Sequence, residues 1–177
     1  MEHTDIINDK EKQDTARLLI ADESLTYAQK AKELFKLGYN CAQAVFMAFY
    51  EEYNMDFDTA LRLSSSFGGG MGQLREVCGA VSGLFMVAGL KYGYSDPMDK
   101  QGKAGHYERI RELAGGFKEE NGSMICRELL GLSTAEHQEE RKTLIKKKPC
   151  GELVENAAGI LENYIKQNPD TAGEKMF

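Results

Sequence analysis

The chain has 177 residues, 42% of them hydrophobic, and a formal net charge of -6. That length suits one domain with its own core, and the acidic balance excludes a nucleic-acid binder, which would present a basic face. The longest apolar stretch, Val77 to Leu90, is too short to span a bilayer, so no membrane insertion is expected. The opening MEHTDIINDKEKQD has no apolar export core, so the cysteines are expected to meet a reducing cytoplasm, where structural disulfides are an unfavoured use of them.

Helical periodicity runs along nearly the whole chain, and no segment reads as a strand. Residues 1–22 form a polar N-terminal arm, with a helix over Lys10 to Ile20. The domain proper, 23–168, opens with a helix from Ser24 to Leu37 that places Tyr27, Ala31, Leu34 and Phe35 on one face. Gly38 stops it. Asn40 caps the next helix, with Gln43 completing an approximate capping box. Its apolar positions, Cys41, Ala44, Val45, Ala48 and Phe49, step by three and four residues, which puts Cys41 on the core face. A short helix follows over Asp56 to Ser66, and then the run Phe67-Gly-Gly-Gly-Met-Gly72. Gly68, Gly69 and Gly70 allow backbone conformations closed to other residues and a close approach to a ligand. Dinucleotide-fingerprint spacing is absent.

The stretch Val77 to Leu90 reads as a buried central helix. Gly79 and Gly83 lie on one of its faces, one turn beyond Cys78. Each glycine in a helix interior costs on the order of 1 kcal/mol against alanine, so the pair calls for close helix packing, access to Cys78, or both. Asp96-Pro97 is expected to cap a helix that reaches about Phe117, with Gly115-Gly116 breaking its end. Ser123 caps a short helix carrying Cys126. Ser133 to Leu144 reads as a highly charged helix opened by a capping box. Pro149 and Cys150 begin the last helix, with Leu153, Ala157, Ile160, Leu161, Tyr164 and Ile165 on its apolar stripe. Residues 169–177 form a loose tail.

The four cysteines, Cys41, Cys78, Cys126 and Cys150, each fall at an expected helix start. Free N–H groups and the macrodipole there favour thiolate, the form that attacks disulfides and binds metals. A free cysteine is equally at home as a small buried hydrophobe. No two form a C-x-x-C pair, and separations of 24 to 48 residues match no local motif. They can share a site only if the bundle gathers helix ends, which antiparallel neighbours allow. Together the thiolates would hold an iron–sulfur cluster or a zinc ion, or cycle as two dithiol pairs. Arg75, Arg127 and Lys148 lie near Cys78, Cys126 and Cys150, where a cation would favour thiolate. Cys78, behind the glycine-rich run and ahead of Gly79, is the expected reactive thiol. His106 reads as a satisfied structural histidine before it reads as a ligand; His3 and His137 add little.

The ordered blocks Asn40-Cys41-Ala-Gln-Ala-Val45, Phe67-Gly-Gly-Gly70, Cys78-Gly79-Ala80-x-x-Gly83, Gly122-Ser123-x-x-Cys126-x-x-Leu129 and Cys150 resemble the C_GCAxxG_C_C family of redox-active proteins. The resemblance covers about Tyr27 to Ile165. It implies a small bacterial or archaeal redox protein with four characteristic cysteines, from a family often encoded near transporters. A related domain occurs in split-Soret cytochromes, where bound iron is implicated. This chain lacks C-x-x-C-H, so covalent haem is not expected. The resulting expectation is an all-α helical bundle around the glycine-containing central helix. Its four cysteines would form one redox site, first as ligands of an iron–sulfur or other metal centre and second as a thiol–disulfide carrier. The rival from another class is a transporter-associated binding module with structural zinc or core cysteines. A redox partner of unspecified identity and a homodimer complete these expectations.

Overall fold

The computed structural model describes residues 9–132 and 149–169. The helix expected over Ser133 to Leu144, Lys148, His3, His137 and residues 170–177 lie outside the described residues. Within them the chain is all-α and forms one bundle, and strands are absent apart from a single antiparallel bridge between Val77 and Ile125. In chain order the elements are α1 Asp9–Ala21, α2 Tyr27–Lys36, α3 Cys41–Ala48, a one-turn 3-10 segment Tyr50–Glu52, α4 Phe57–Ser65, α5 Gly68–Met71, α6 Gly79–Tyr92, α7 Lys100–Asn121, α8 Cys126–Leu129 and α9 Cys150–Gln167.

Capping chemistry explains most boundaries that differ from the sequence reading. Helix α2 begins at Tyr27 rather than Ser24 because Thr26 and Gln29 close a capping box there. The expected Asp96-Pro97 cap is replaced by Asp99, whose side chain accepts from the Gly102 N–H at 2.8 Å. Helix α7 then runs straight through Gly115-Gly116, and it stops only where Gly122 turns left-handed at φ 83°. The expected cap at Ser123 also moves. Ile125 precedes α8 directly, while Ser123 Oγ accepts from the Ile125 N–H and donates to Glu128.

Helix α6 is central and packs against α3, α9 and α7. Ala80, Val81, Leu84, Val87 and Ala88 of α6 are fully enclosed with Val45, Phe46, Phe49, Leu34, Phe117, Leu153 and Leu161. The α3–α6 contact depends on Gly83. A Cβ built there would lie 2.7 Å from the Ala42 carbonyl oxygen and 2.9 Å from Val45 Cβ, so two helix backbones approach at a point where only glycine fits. Gly83→Ala is expected to lower stability by about 1–3 kcal/mol through overpacking, against which alanine's better helix propensity returns about 1 kcal/mol. A thermal midpoint at or above that of wild type would contradict this. Helix α1 joins the bundle through the buried Ala16 and Ile20, and Lys30 of α2 donates to the Ile20 carbonyl.

Candidate functional site

Four helix starts converge on one cavity. Asn40 sets the first: its side chain accepts from the Ala42 and Gln43 N–H groups at 3.0 and 2.9 Å, and Gln43 returns a bond to the Asn40 N–H at 3.1 Å. This capping box fixes Cys41 as the first residue of α3. Asn40 also donates from Nδ2 to the Ser65 carbonyl, anchoring α3 to the end of α4. Cys41 is half-buried and packs against the core.

The glycine-rich segment then folds back instead of serving as an open loop. Gly69, Gly70, Met71, Gly72, Gln73 and Arg75 all have φ between 60° and 72°, a run of left-handed backbone that L-residues adopt only at a cost. Backbone bonds from Met71 to Phe67, Gln73 to Gly68, Arg75 to Gly69 and Glu76 to Gly70 close the turn. Three of its members, Met71, Gln73 and Arg75, are not glycine, so the turn carries strain of the kind that marks functional sites.

The exit from this turn determines where Cys78 and Cys126 sit. Val77 pairs with Ile125, the Cys78 N–H donates to Met124 at 2.8 Å, and the Cys126 N–H donates to Glu76 at 2.6 Å. This short bridge shortens the central helix at its start. Helix α6 begins at Gly79, and Cys78 is its N-cap rather than part of its first turn. Cys126 and Cys150 are the first residues of α8 and α9.

All four cysteines line one cavity of about 170 Å³ with Phe35, Asn40, Gly69, Arg75, Leu129, Leu130 and Leu153. Its lining is almost wholly carbon and sulfur. The volume is roughly ten times the 10–15 Å³ that a single water needs. The glycines make room for it. A Cβ on Gly79 would strike Cys41 Sγ and lie 2.7 Å from the Phe67 carbonyl. One on Gly70 would lie 2.6 Å from Cys126 Cβ. Gly68 lies beneath the Asn40 side chain, and Gly83 serves the α3–α6 packing instead of the cavity.

The structure corrects the expected accessibility of Cys78. Cys78 is buried, and that burial, reinforced by the nearby Cys41, pushes its thiol up to about 12. The Ala80 and Val81 N–H groups oppose the rise, but their geometry makes no capping bond to the sulfur. The Cys150 thiol is also raised, by burial first and then by Cys41 and Cys126, with Arg75 acting in the opposite direction. Cys41 and Cys150 are the half-buried pair, and Cys78 and Cys126 the buried one. In metal-free protein this has a pH consequence. Near the ordinary thiol value of about 9 the unfolded chain gives up the Cys78 proton, while the folded chain keeps it to about 12. Stability from this group is therefore complete below pH 9 and falls as pH rises from 9 to 12. The slope should shrink in Cys78→Ala; an identical alkaline slope in both proteins would contradict the assignment.

Of the flanking cations, Arg75 lines the cavity. Arg127 instead pairs on the surface with Glu76 at 2.8 Å. His106 lies away from the cavity beside Tyr94. Its Nδ1 is buried without a hydrogen-bond partner among the described residues, which corrects its reading as a satisfied histidine. Among the described residues, no three metal-ligating side chains are grouped tightly enough to hold a metal ion. Tetrahedral zinc would draw four sulfurs to about 2.3 Å from one point, and this arrangement does not supply that. A cluster spreads its cysteine ligands over several metal atoms, and four thiols around a multi-atom hollow fit that donor set.

The sequence reading did not single out the apolar wall of Phe35, Leu129, Leu130 and Leu153. Periodicity marked Phe35 and Leu153 as core positions, and nothing local distinguishes a wall residue from a core residue. No helix among the described residues is long and apolar enough to cross a membrane. No curated protein and no solved structure matched the chain. One family model does match, over residues 39–164, and its description is "Putative redox-active protein (C_GCAxxG_C_C)". That span holds all four cysteines and the left-handed turn, and the chain belongs to the C_GCAxxG_C_C family.

Proposed function

We propose that this protein is an electron-transfer or redox-enzyme component whose four cysteines hold an iron–sulfur or other polynuclear metal centre in the thiol-lined cavity. The observation that carries this reading is the cavity itself. A dithiol needs no hollow, and a structural zinc needs four sulfurs around one point, whereas here Cys41, Cys78, Cys126 and Cys150 line a space of about 170 Å³. Such a centre supplies one-electron chemistry when bound. The chain's own contribution is to bring four soft donors to one place, to exclude water with Phe35, Leu129, Leu130 and Leu153, and to leave Cys41 and Cys150 toward the accessible side. The buried Cys78 must lose its proton on binding, so loading should release protons and weaken as pH falls.

A second reading is a thiol–disulfide carrier, favoured by the four free and mutually neighbouring thiols. Purification without air, followed by iron and acid-labile sulfide analysis, separates these readings. Iron with sulfide supports the metal centre. Metal-free protein with four titratable thiols and reversible two-electron oxidation supports the carrier. Metal-free protein with no reversible oxidation leaves a binding or assembly module, transporter-associated in the sense that the family resemblance implies. A cytoplasmic location, an external redox partner and self-association belong to the same proposal.

A further inference from the structure

We infer that Arg75 is the counter-charge of this cavity, matched to an occupant of net negative charge and raising that occupant's reduction potential. The inference rests on the proposed four-cysteine redox centre and adds to it a residue outside the cysteine set.

Arg75 is the one charged side chain among the described residues that line the cavity. Its Nη1 lies 4.0 Å from Cys126 Sγ, and a Cβ on Gly69 would come within 3.5 Å of that nitrogen. The backbone is bent to put it there: Arg75 ends the left-handed run with φ 62°. Its carbonyl accepts from the Arg127 N–H at 3.1 Å and from Arg127 Nη1 at 3.4 Å, which clamps the main chain and leaves the side chain to the cavity. The adjacent carboxylate does not neutralise it, because Glu76 is paired with Arg127. Among the described residues Arg75 has no carboxylate partner.

The electrostatic consequence has a definite sign. A centre carried by four thiolates is anionic, and reduction adds one electron to it while the cysteine bonds stay in place. A fixed positive charge beside the centre stabilises the reduced form more than the oxidised form. The apolar lining magnifies the effect, since charges interact more strongly in a low-dielectric surrounding. Arg75's turn-forming bonds are made by its backbone, so the side chain's charge can be removed without deleting them.

The test is a mediated redox titration of anaerobically purified full-length protein, with a reduced viologen as electron donor, on wild type, R75Q and R75K. R75Q is expected to make reduction about tenfold less favourable, which is ~59 mV downward for a one-electron couple. R75K keeps the charge and should stay within about threefold of wild type. An R75Q potential equal to wild type, or an R75K potential that falls as far as R75Q, overturns the inference while leaving the redox centre standing. If R75Q is not recovered folded, R75K carries the test and a tenfold fall in it overturns the inference. A wild-type protein with no reducible centre overturns both this inference and the function on which it rests.

Discussion

Gly79→Ala is expected to abolish the proposed redox centre, whereas Gly83→Ala, one turn further along the same helix face, should weaken the fold and spare that centre. Both positions lie in the α3–α6 contact, but they face different neighbours. A Cβ on Gly83 meets the Ala42 carbonyl and Val45. A Cβ on Gly79 meets Cys41 Sγ, the Phe67 carbonyl at 2.7 Å and the Ala42 N–H nitrogen at 3.2 Å. Two of those three are main-chain atoms, which cannot swing aside. The cheapest relief is to expel the Cys41 side chain from its place above the start of α6, and that removes one of the four donors. Overpacking should cost each variant about 1–3 kcal/mol, or several degrees in thermal midpoint for a chain of this size. The metal content separates them: normal in Gly83→Ala and lost in Gly79→Ala. Full retention of the centre in Gly79→Ala would show that Cys41 is not held where the structure places it.

The second large effect is expected at Gly70. Its φ of 72° is strained for any residue with a side chain, and a Cβ there would lie 2.6 Å from Cys126 Cβ, 3.0 Å from the Glu76 nitrogen and 3.1 Å from the Arg75 carbonyl carbon. Gly70→Ala therefore meets conformational strain and collision at once. Left-handed backbone alone costs on the order of 1–2 kcal/mol for an L-residue, and the collision pushes on the bridge that aligns Cys126 with Cys78. Unlike Gly83→Ala, this variant should lose the centre and unfold more readily. A variant with wild-type stability and wild-type metal content would mean that the turn is pliable and does not set the site.

Those glycines show what the sequence made legible and what it did not. The all-α class, the buried central helix and the Asn40–Gln43 cap could be read from periodicity and capping residues. Such signals are local, and the structure agrees with them. The gathering of Cys41, Cys78, Cys126 and Cys150 around one cavity was an expectation from shared helix-start positions, because no spacing rule links residues so far apart. The left-handed turn was legible only at its glycines. Three of its positive-φ residues, Met71, Gln73 and Arg75, are residue types that ordinarily avoid that backbone, so the tertiary bonds that Cys126 and Arg127 donate to the Glu76 and Arg75 carbonyls override local preference. The same bridge moved the start of α6 to Gly79 and buried Cys78, where an accessible thiol was expected. The N–H groups at the start of α6 lower the Cys78 pKa, but burial raises it by more, so desolvation dominates.

The central claim is that four cysteines far apart in sequence act as one centre. Timed alkylation with peptide mass mapping, run on anaerobically purified protein before and after an iron chelator, tests it most directly. The account predicts that all four cysteines are protected together before chelation and become reactive together after it, with the half-buried Cys41 and Cys150 labelling ahead of the buried Cys78 and Cys126. Cysteines that label independently before chelation, or a chelator that changes the labelling of only one or two, would contradict a single four-cysteine site.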